Sequence, residues 1–315
     1  MNVSLTRIRS MLRRNALLTR AFEDTRSRFT KTLYSLSPAL LYRLRFRLEK
    51  DRWPNLRNPH GFDEKLGFLM LYWRHPLKTQ CADKYRMRTY VEEQKLGNLL
   101  PKLIGVYENS REIDFETLPG RFVLKCTHGC RFHIICRDKK KLNLEEVRRK
   151  LDTWMQVDYS KAYGEIHYAA IKPRIICEPF LDDSAGNLPC DYKVYCFGGK
   201  THCIMVCTER GLDGQGAQYH FYDRDWKRKL PYDKFGIQGC RDIPRVDAHE
   251  EIIAASEKLS RPFPFVRMDF YSTNGKAVLG EMTFTPSGCI DMDLTDMAQN
   301  ELGKLIILPK PYRDE

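Results

Sequence analysis

The stretch from Pro262 to Pro286 most narrows what this chain can be, because it reads as strand, turn, strand with charge in register. Pro264-Phe265-Val266-Arg267-Met268-Asp269-Phe270-Tyr271 alternates like a half-buried strand. Ser272-Thr273-Asn274-Gly275 supplies turn chemistry, and Ala277 to Pro286 forms the returning run. Side chains on a strand change face at each residue, so parity decides which ones meet. Arg267, Asp269, Glu281 and Thr283 are all odd-numbered. A plain two-residue Asn-Gly turn would put Asp269 and Glu281 on opposite faces. A shared face therefore requires a three- or five-residue loop, or a bulge. Two facing carboxylates repel, and a hard divalent cation such as Mg²⁺ relieves that repulsion. An arginine beside them suits a phosphate or a developing anion. Taken alone, the same residues also suit a surface hairpin with solvated charges.

The 315-residue length allows one large domain or a few subdomains, and 42% hydrophobic content with mixed charge predicts a globular protein. The net charge of +12 is uneven. Residues 1–50 hold twelve Lys and Arg against three acids, which is +9, so the other 265 residues carry +3. Leu5, Ile8, Leu12 and Leu17 interleave with these cations. That pattern suits an amphipathic helix on an anionic membrane, or equally a helix packed by its apolar stripe on the body. No nucleic-acid module accompanies the charge, so no nucleic-acid partner is expected. The basic N-terminus lacks the apolar core of a secretory signal, and no run approaches the length of a membrane-spanning helix. Eleven scattered cysteines then read as reduced thiols in the cytoplasm.

Helices are expected over Phe62–His75, Pro76–Leu96, Asn143–Tyr159, Val246–Ser260 and Asp293–Ile306. Leu99–Tyr107 reads as an extended edge. Strands are expected at Arg121–Cys126, Phe132–Cys136, Arg174–Leu181, Asp191–Phe197 and Thr201–Thr208. Between the first two, Thr127-His128-Gly129-Cys130-Arg131 is a loop able to wrap phosphates with backbone N–H groups, or an ordinary turn. Cys126, His128, Cys130 and His133 do not have the spacing of paired zinc knuckles. Gly211, Gly214 and Gly216 lack the strand-to-helix context of a dinucleotide fingerprint and read as a mobile loop.

Taken in order, Asp83-Lys84, Phe122-Val123-Leu124-Lys125, Glu178-Pro179-Phe180-Leu181, Asp191-Tyr192-Lys193, Arg267-x-Asp269 and Glu281-x-Thr283-x-x-Pro286 resemble the ATP-grasp series. Their wording is similar to the TupA-like ATP-grasp family of bacterial surface-polysaccharide biosynthesis, over roughly residues 60–308. The resemblance implies an α+β ATP-grasp fold: a basic helical arm over 1–55, a helical region over 56–110, a small subdomain over 111–175 and a C-terminal subdomain over 176–315. It implies ATP and Mg²⁺ as cofactors. Lys84, Lys125 and Lys193 would meet phosphates, with Thr127 and Gly129 in the covering loop. Glu178, Pro179, Phe180 and Leu181 would line the adenine slot, and Asp191 would accept the ribose hydroxyls. Asp269, Glu281 and Thr283 would hold the metal, although dipeptide ligases usually carry Asn at the last position. Arg267 would stabilise the oxyanion of acyl transfer.

The implied activity is a carboxylate–amine ligase working through an acyl phosphate, with a uronic acid of a capsule or related glycan as carboxylate and a separate amine. It would sit in the cytoplasm, peripheral to the inner membrane face through residues 1–50. A glycosyltransferase, an ATP-dependent sugar or lipid kinase and a non-enzymatic membrane-recruited module remain as alternatives.

Overall fold

Alternating sequence folds into paired strands, and here the pairing produces two antiparallel sheets. The computed structural model describes residues 16–182, 189–208, 217–236 and 242–310, with backbone alone for 16–24 and 26. Strands β1 (Gly105–Tyr107), β2 (Phe122–Cys126), β3 (His133–Cys136) and β4 (Ile175–Pro179) form a sheet in the order β1-β4-β2-β3. Strands β5 (Asp191–Phe197), β6 (Lys200–Thr208), β7 (Gln218–Asp223), β8 (Lys229–Leu230), β9 (Val266–Thr273) and β10 (Lys276–Thr283) form a second, ordered β10-β9-β5-β6-β7-β8. Strands β7 and β8 were not foreseen from sequence, because Gln218–Asp223 buries the adjacent His220, Phe221 and Tyr222 instead of alternating and Lys229–Leu230 is only two residues long. Gly211, Gly214 and Gly216 lie outside the described residues.

The helices are α1 (Ala16–Leu36), α2 (Pro38–Lys50), α3 (Phe62–Tyr72), α4 (Pro76–Ala82), α5 (Met87–Glu93), α6 (Leu144–Met155), α7 (Tyr159–Tyr163), α8 (His249–Ser260) and α9 (Asp296–Leu305). Helix α8 lies against the six-stranded sheet, where Ile252, Ile253 and Leu259 are buried with Met268, Phe270 and Leu279. Phe62 of α3 packs edge-on against Phe265 at 5.1 Å, and Phe197 lies 5.2 Å from Phe265. Phe62 thus ties the N-terminal helices to the ribbon's sheet.

Three helix expectations need correction. The single helix over Pro76–Leu96 is broken between α4 and α5. Asp83 Oδ1 accepts from the backbone N–H of Tyr85 (2.9 Å) and Arg86 (3.3 Å), a local substitute for helix bonds. The segment Asn143–Tyr159 is also interrupted. Asn143 caps α6 as expected, accepting from Glu146 N at 3.0 Å, but the helix stops at Met155 and Asp158 starts α7. The last helix starts later than Asp293, because the Thr295 hydroxyl caps it by accepting from Ala298 N at 3.2 Å.

Within the basic arm, residues 1–15 lie outside the described residues. Ser37 caps α2, accepting from Leu40 N, and Pro38 occupies its first turn. Leu41, Tyr42 and Phe46 are buried, and Tyr42 Oη donates to Asp63 O at 2.7 Å. Leu5, Ile8, Leu12 and Leu17, on which the amphipathic-helix expectation rests, lie outside the described side chains; α2 packs on the body by its own apolar residues.

Candidate active site

The β9–β10 ribbon satisfies parity through a bulge. The turn has two residues, Asn274 (φ 51°) and Gly275 (φ 72°), between the paired Thr273 and Lys276. Both central residues are left-handed, which matches the natural twist of a hairpin and favours Asn-Gly. Such a turn alone would leave Asp269 and Glu281 on opposite faces. The register slips between Leu279 and Glu281, so Gly280 is the extra residue. Beyond it Glu281 faces Asp269, and Thr283 faces Arg267. A Cβ at Gly280 would stand 2.8 Å from the Tyr271 ring and 3.4 Å from Asp269 O, so the close approach suits glycine.

The ribbon's neighbour is β5, which places Lys193 opposite Asp269. Lys193 Nζ is 3.0 Å from Asp269 Oδ2 and 3.3 Å from Asp191 Oδ2. Arg267 grips Asp269 with two bonds of 2.7 Å. Its Nη2 also donates to Thr283 Oγ1 at 3.4 Å, and that hydroxyl donates to Glu281 Oε1 at 3.5 Å. Burial alone would raise the Asp269 carboxyl, but the Arg267 guanidinium and Lys193 ammonium hold it below the usual carboxylate range. Burial disfavours the Lys193 charge, and the Asp269 carboxylate more than reverses that.

The second wall comes from the four-stranded sheet and the break in the helix after α4. Lys84 N donates to Thr127 O at 3.3 Å, which docks the break onto the loop after β2. The Lys84 ammonium then donates to Gly129 O at 2.7 Å and lies 3.6 Å from Glu281 Oε2. Burial lowers its basicity, yet the Glu281 charge lifts it above the ordinary lysine value. Thus the loop and the ribbon meet through Lys84. Lys125 faces a different partner, Glu178 Oε2 at 2.6 Å, and Arg88 stands 3.7 Å from the other oxygen. Thr127 is fully buried, and its hydroxyl accepts from Arg174 N at 3.2 Å, so it anchors the loop from inside. Pro179 ends β4, and the Phe180 ring beyond it is covered by the Arg121 guanidinium at 4.3 Å. Leu181 follows, half-buried. His128 bonds Trp154 O at 3.1 Å, and Cys126 is buried in β2.

The ribbon's donor set fits Mg²⁺: two facing carboxylates and a hydroxyl, all oxygen. Among the described residues no group of three His, Cys, Asp or Glu could hold a metal unaided. An ion at Asp269 and Glu281 would therefore share its shell with phosphate oxygens and water, a common arrangement for Mg²⁺.

Sequence reading missed Arg88 and Glu165, and named Cys130 only as part of the phosphate loop and the rejected zinc spacing. Cys130 Sγ lies 3.6 Å from Glu281 Oε1, and burial pushes its thiol up to about 12. Glu165 is buried and accepts a hydrogen bond from Thr285 Oγ1, just past the ribbon. No motif marked Glu165, since a single acid in a polar stretch carries no periodic signal. Burial raises its carboxyl from 4.5 to about 7, against the Thr285 bond. The folded protein therefore holds this proton more tightly than the unfolded chain. The associated stability, about 3 kcal/mol, is fully present below pH about 4.5 and is lost as pH rises through about 7. Glu165→Gln should flatten that decline and melt above the parent at about pH 8. Parallel melting curves for the two proteins across this range would contradict it.

A family model described as TupA-like ATPgrasp matches residues 64–307. No curated protein matches the chain. Among solved structures, the chain is similar to D-alanine–D-alanine ligase from Bacillus anthracis complexed with ATP, at 14% identity. That match covers 65% of this chain and 54% of that one, with a TM-score of 0.39. L-amino acid ligase from Bacillus licheniformis is similar at 16% identity over 69% of this chain and 46% of that one, with a TM-score of 0.43. D-cycloserine synthetase is similar at 14% identity over 73% and 70%, with a TM-score of 0.41. The chain spans about half the length of the first two of these structures.

Proposed function

Since the chain belongs to the TupA-like ATP-grasp family, we propose that it is an ATP- and Mg²⁺-dependent ligase that joins a carboxylate to an amine through an acyl phosphate. The observation that carries this reading is the ribbon itself. Two acids face each other on paired strands, with Arg267, Lys193 and Lys84 converging on them from three separate segments.

Each residue's role follows from charge and place. Lys84, Lys125 and Lys193 offset phosphate charge, and the backbone of the loop through Gly129 closes over it. Glu178, Pro179, Phe180 and Leu181 line the base slot at the end of β4, and Asp191 accepts from the ribose. Asp269 and Glu281 hold Mg²⁺, with Thr283 supplying a hydroxyl or fixing a water. Bound there, Mg²⁺ neutralises charge on the transferring phosphoryl group. Arg267 is already aligned by Asp269, so it meets the oxyanion formed as the amine attacks without reorganising. The carboxylate of the first substrate attacks the γ-phosphorus and ADP leaves; the amine then displaces phosphate and loses a proton. Positioning and charge carry the chemistry, so no side-chain nucleophile is needed.

A uronic acid of a surface glycan is the proposed carboxylate. Among the described residues no helix is long and apolar enough to cross a membrane. Buried thiols such as Cys81, Cys126 and Cys177 suit a reducing compartment, and cytoplasmic work at the membrane's inner face is the setting we infer. The test incubates the protein with ATP, Mg²⁺ and a panel of uronic acids and amines. ADP and free phosphate in equal amounts, only when both substrates are present, is the expected result. ADP with a phosphorylated sugar and no free phosphate would replace the ligase with a kinase.

A further inference from the structure

Helix α2 has two faces with different chemistry. Leu41, Tyr42 and Phe46 are buried inward, whereas Leu40, Arg43 and Leu48 are exposed, Leu48 by 69%. Trp53, just beyond the helix, is 58% exposed. Scattered exposed leucines are ordinary, but these follow one helix and its end and alternate with arginine. The two leucines belong to residues 1–50, with twelve cations against three acids; of the cations on α2, Arg47 pairs with Asp51 and Lys50 with Asp63, while Arg43 stands exposed. Apolar side chains interleaved with unbalanced positive charge match the boundary of an anionic bilayer.

The inner face of the same helix holds the chain leaving the ribbon. Tyr42 Oη lies 3.4 Å from Cys289 O, and Lys50 Nζ donates to Asp291 O and pairs with Asp63 at 2.9 Å. The ribbon's exit at Pro286–Asp291 is thus separated from the exposed face by one helix, about 10 Å across. We propose that the outward face of α2 with Trp53 rests on an anionic lipid surface, and that this contact presents the site to a carboxylate-bearing acceptor carried on a lipid. The second clause rests on the ligase reading; the lipid contact does not.

The test is sedimentation of the full chain with phosphatidylcholine vesicles, with and without phosphatidylglycerol. Binding is expected only with the anionic lipid, is lost in about 1 M salt, and is not displaced by soluble glycerol phosphate. The combined change Leu40→Ser, Leu48→Ser and Trp53→Ser should weaken vesicle binding at least about tenfold. ATP binding should remain unchanged, which shows that the variant is folded. Absence of binding by the parent, equal binding by the variant, or displacement by glycerol phosphate would overturn the proposal. So would a parent dimer that ignores vesicles and that the three changes dissolve, since a second copy would then cover this face. Lipid binding without turnover on any substrate pair would sink the ligase and leave the lipid contact standing.

Discussion

Asp269→Asn should reduce ADP formation about a thousandfold, because in the proposed mechanism it removes a metal-holding charge and loosens the arginine aimed at the oxyanion. Asp269 is buried and contacts both Arg267 and Lys193. Neutralising it leaves two cations with too little negative charge, at a cost of about 3 kcal/mol. Loss of activity could therefore follow from a damaged fold, and a second change separates the two effects. Adding Lys193→Met removes one of the excess cations. The double variant should melt above Asp269→Asn while remaining inactive. Steady-state ADP release and thermal melting measure the two quantities. Activity within tenfold of the parent in Asp269→Asn would remove the carboxylate from the proposed mechanism.

Insertion of one alanine after Gly280 should be damaging as well. Before the bulge, Ala277 and Leu279 are buried; after it, Met282 is buried while Glu281 and Thr283 turn to the site. Deleting Gly280 would close the bulge and still leave Glu281 opposite Asp269, whereas one further residue in a regular ribbon carries Glu281 two positions along β9, opposite Arg267. Either the bulge widens to hold two residues or Glu281 moves about 7 Å along β9, away from Asp269. A loss of turnover of at least about a hundredfold is expected. Gly280→Ala is the informative companion. It keeps the count of residues, and its Cβ would crowd Tyr271 at 2.8 Å. That strain should cost about 1–3 kcal/mol and spare most activity. A fully active insertion variant would show that the facing of Glu281 and Asp269 is irrelevant to function.

The bulge shows how much of the site was legible beforehand. Parity alone required an odd loop or a bulge, and Asn274-Gly275 is the preferred two-residue turn, so the bulge remained. The switch from buried odd residues to a buried Met282 marks its place. The helix break at Asp83 was equally local, since aspartate can replace helix hydrogen bonds with its own side chain. It was missed because Leu77, Cys81 and Met87 keep an apolar spacing through it. That break aims Lys84 at the site.

Local patterning, by its own action, determined the strands, their faces, the hairpin and the capped helices, because alternation and turn chemistry act over a few residues. The order of motifs also marked the family, with Lys84, Lys125, Asp269 and Glu281 among its members. Tertiary structure alone decided which charges meet. Lys193 reaches Asp269 because β5 lies beside β9, and Lys84 reaches Glu281 because the loop after β2 is drawn to the ribbon. It also decided that Lys125 pairs with Glu178 and that Glu165 is buried beside Thr285. Such pairings join residues far apart in the chain. They arise from how sheets stack and exclude water, and no short-range periodicity records them.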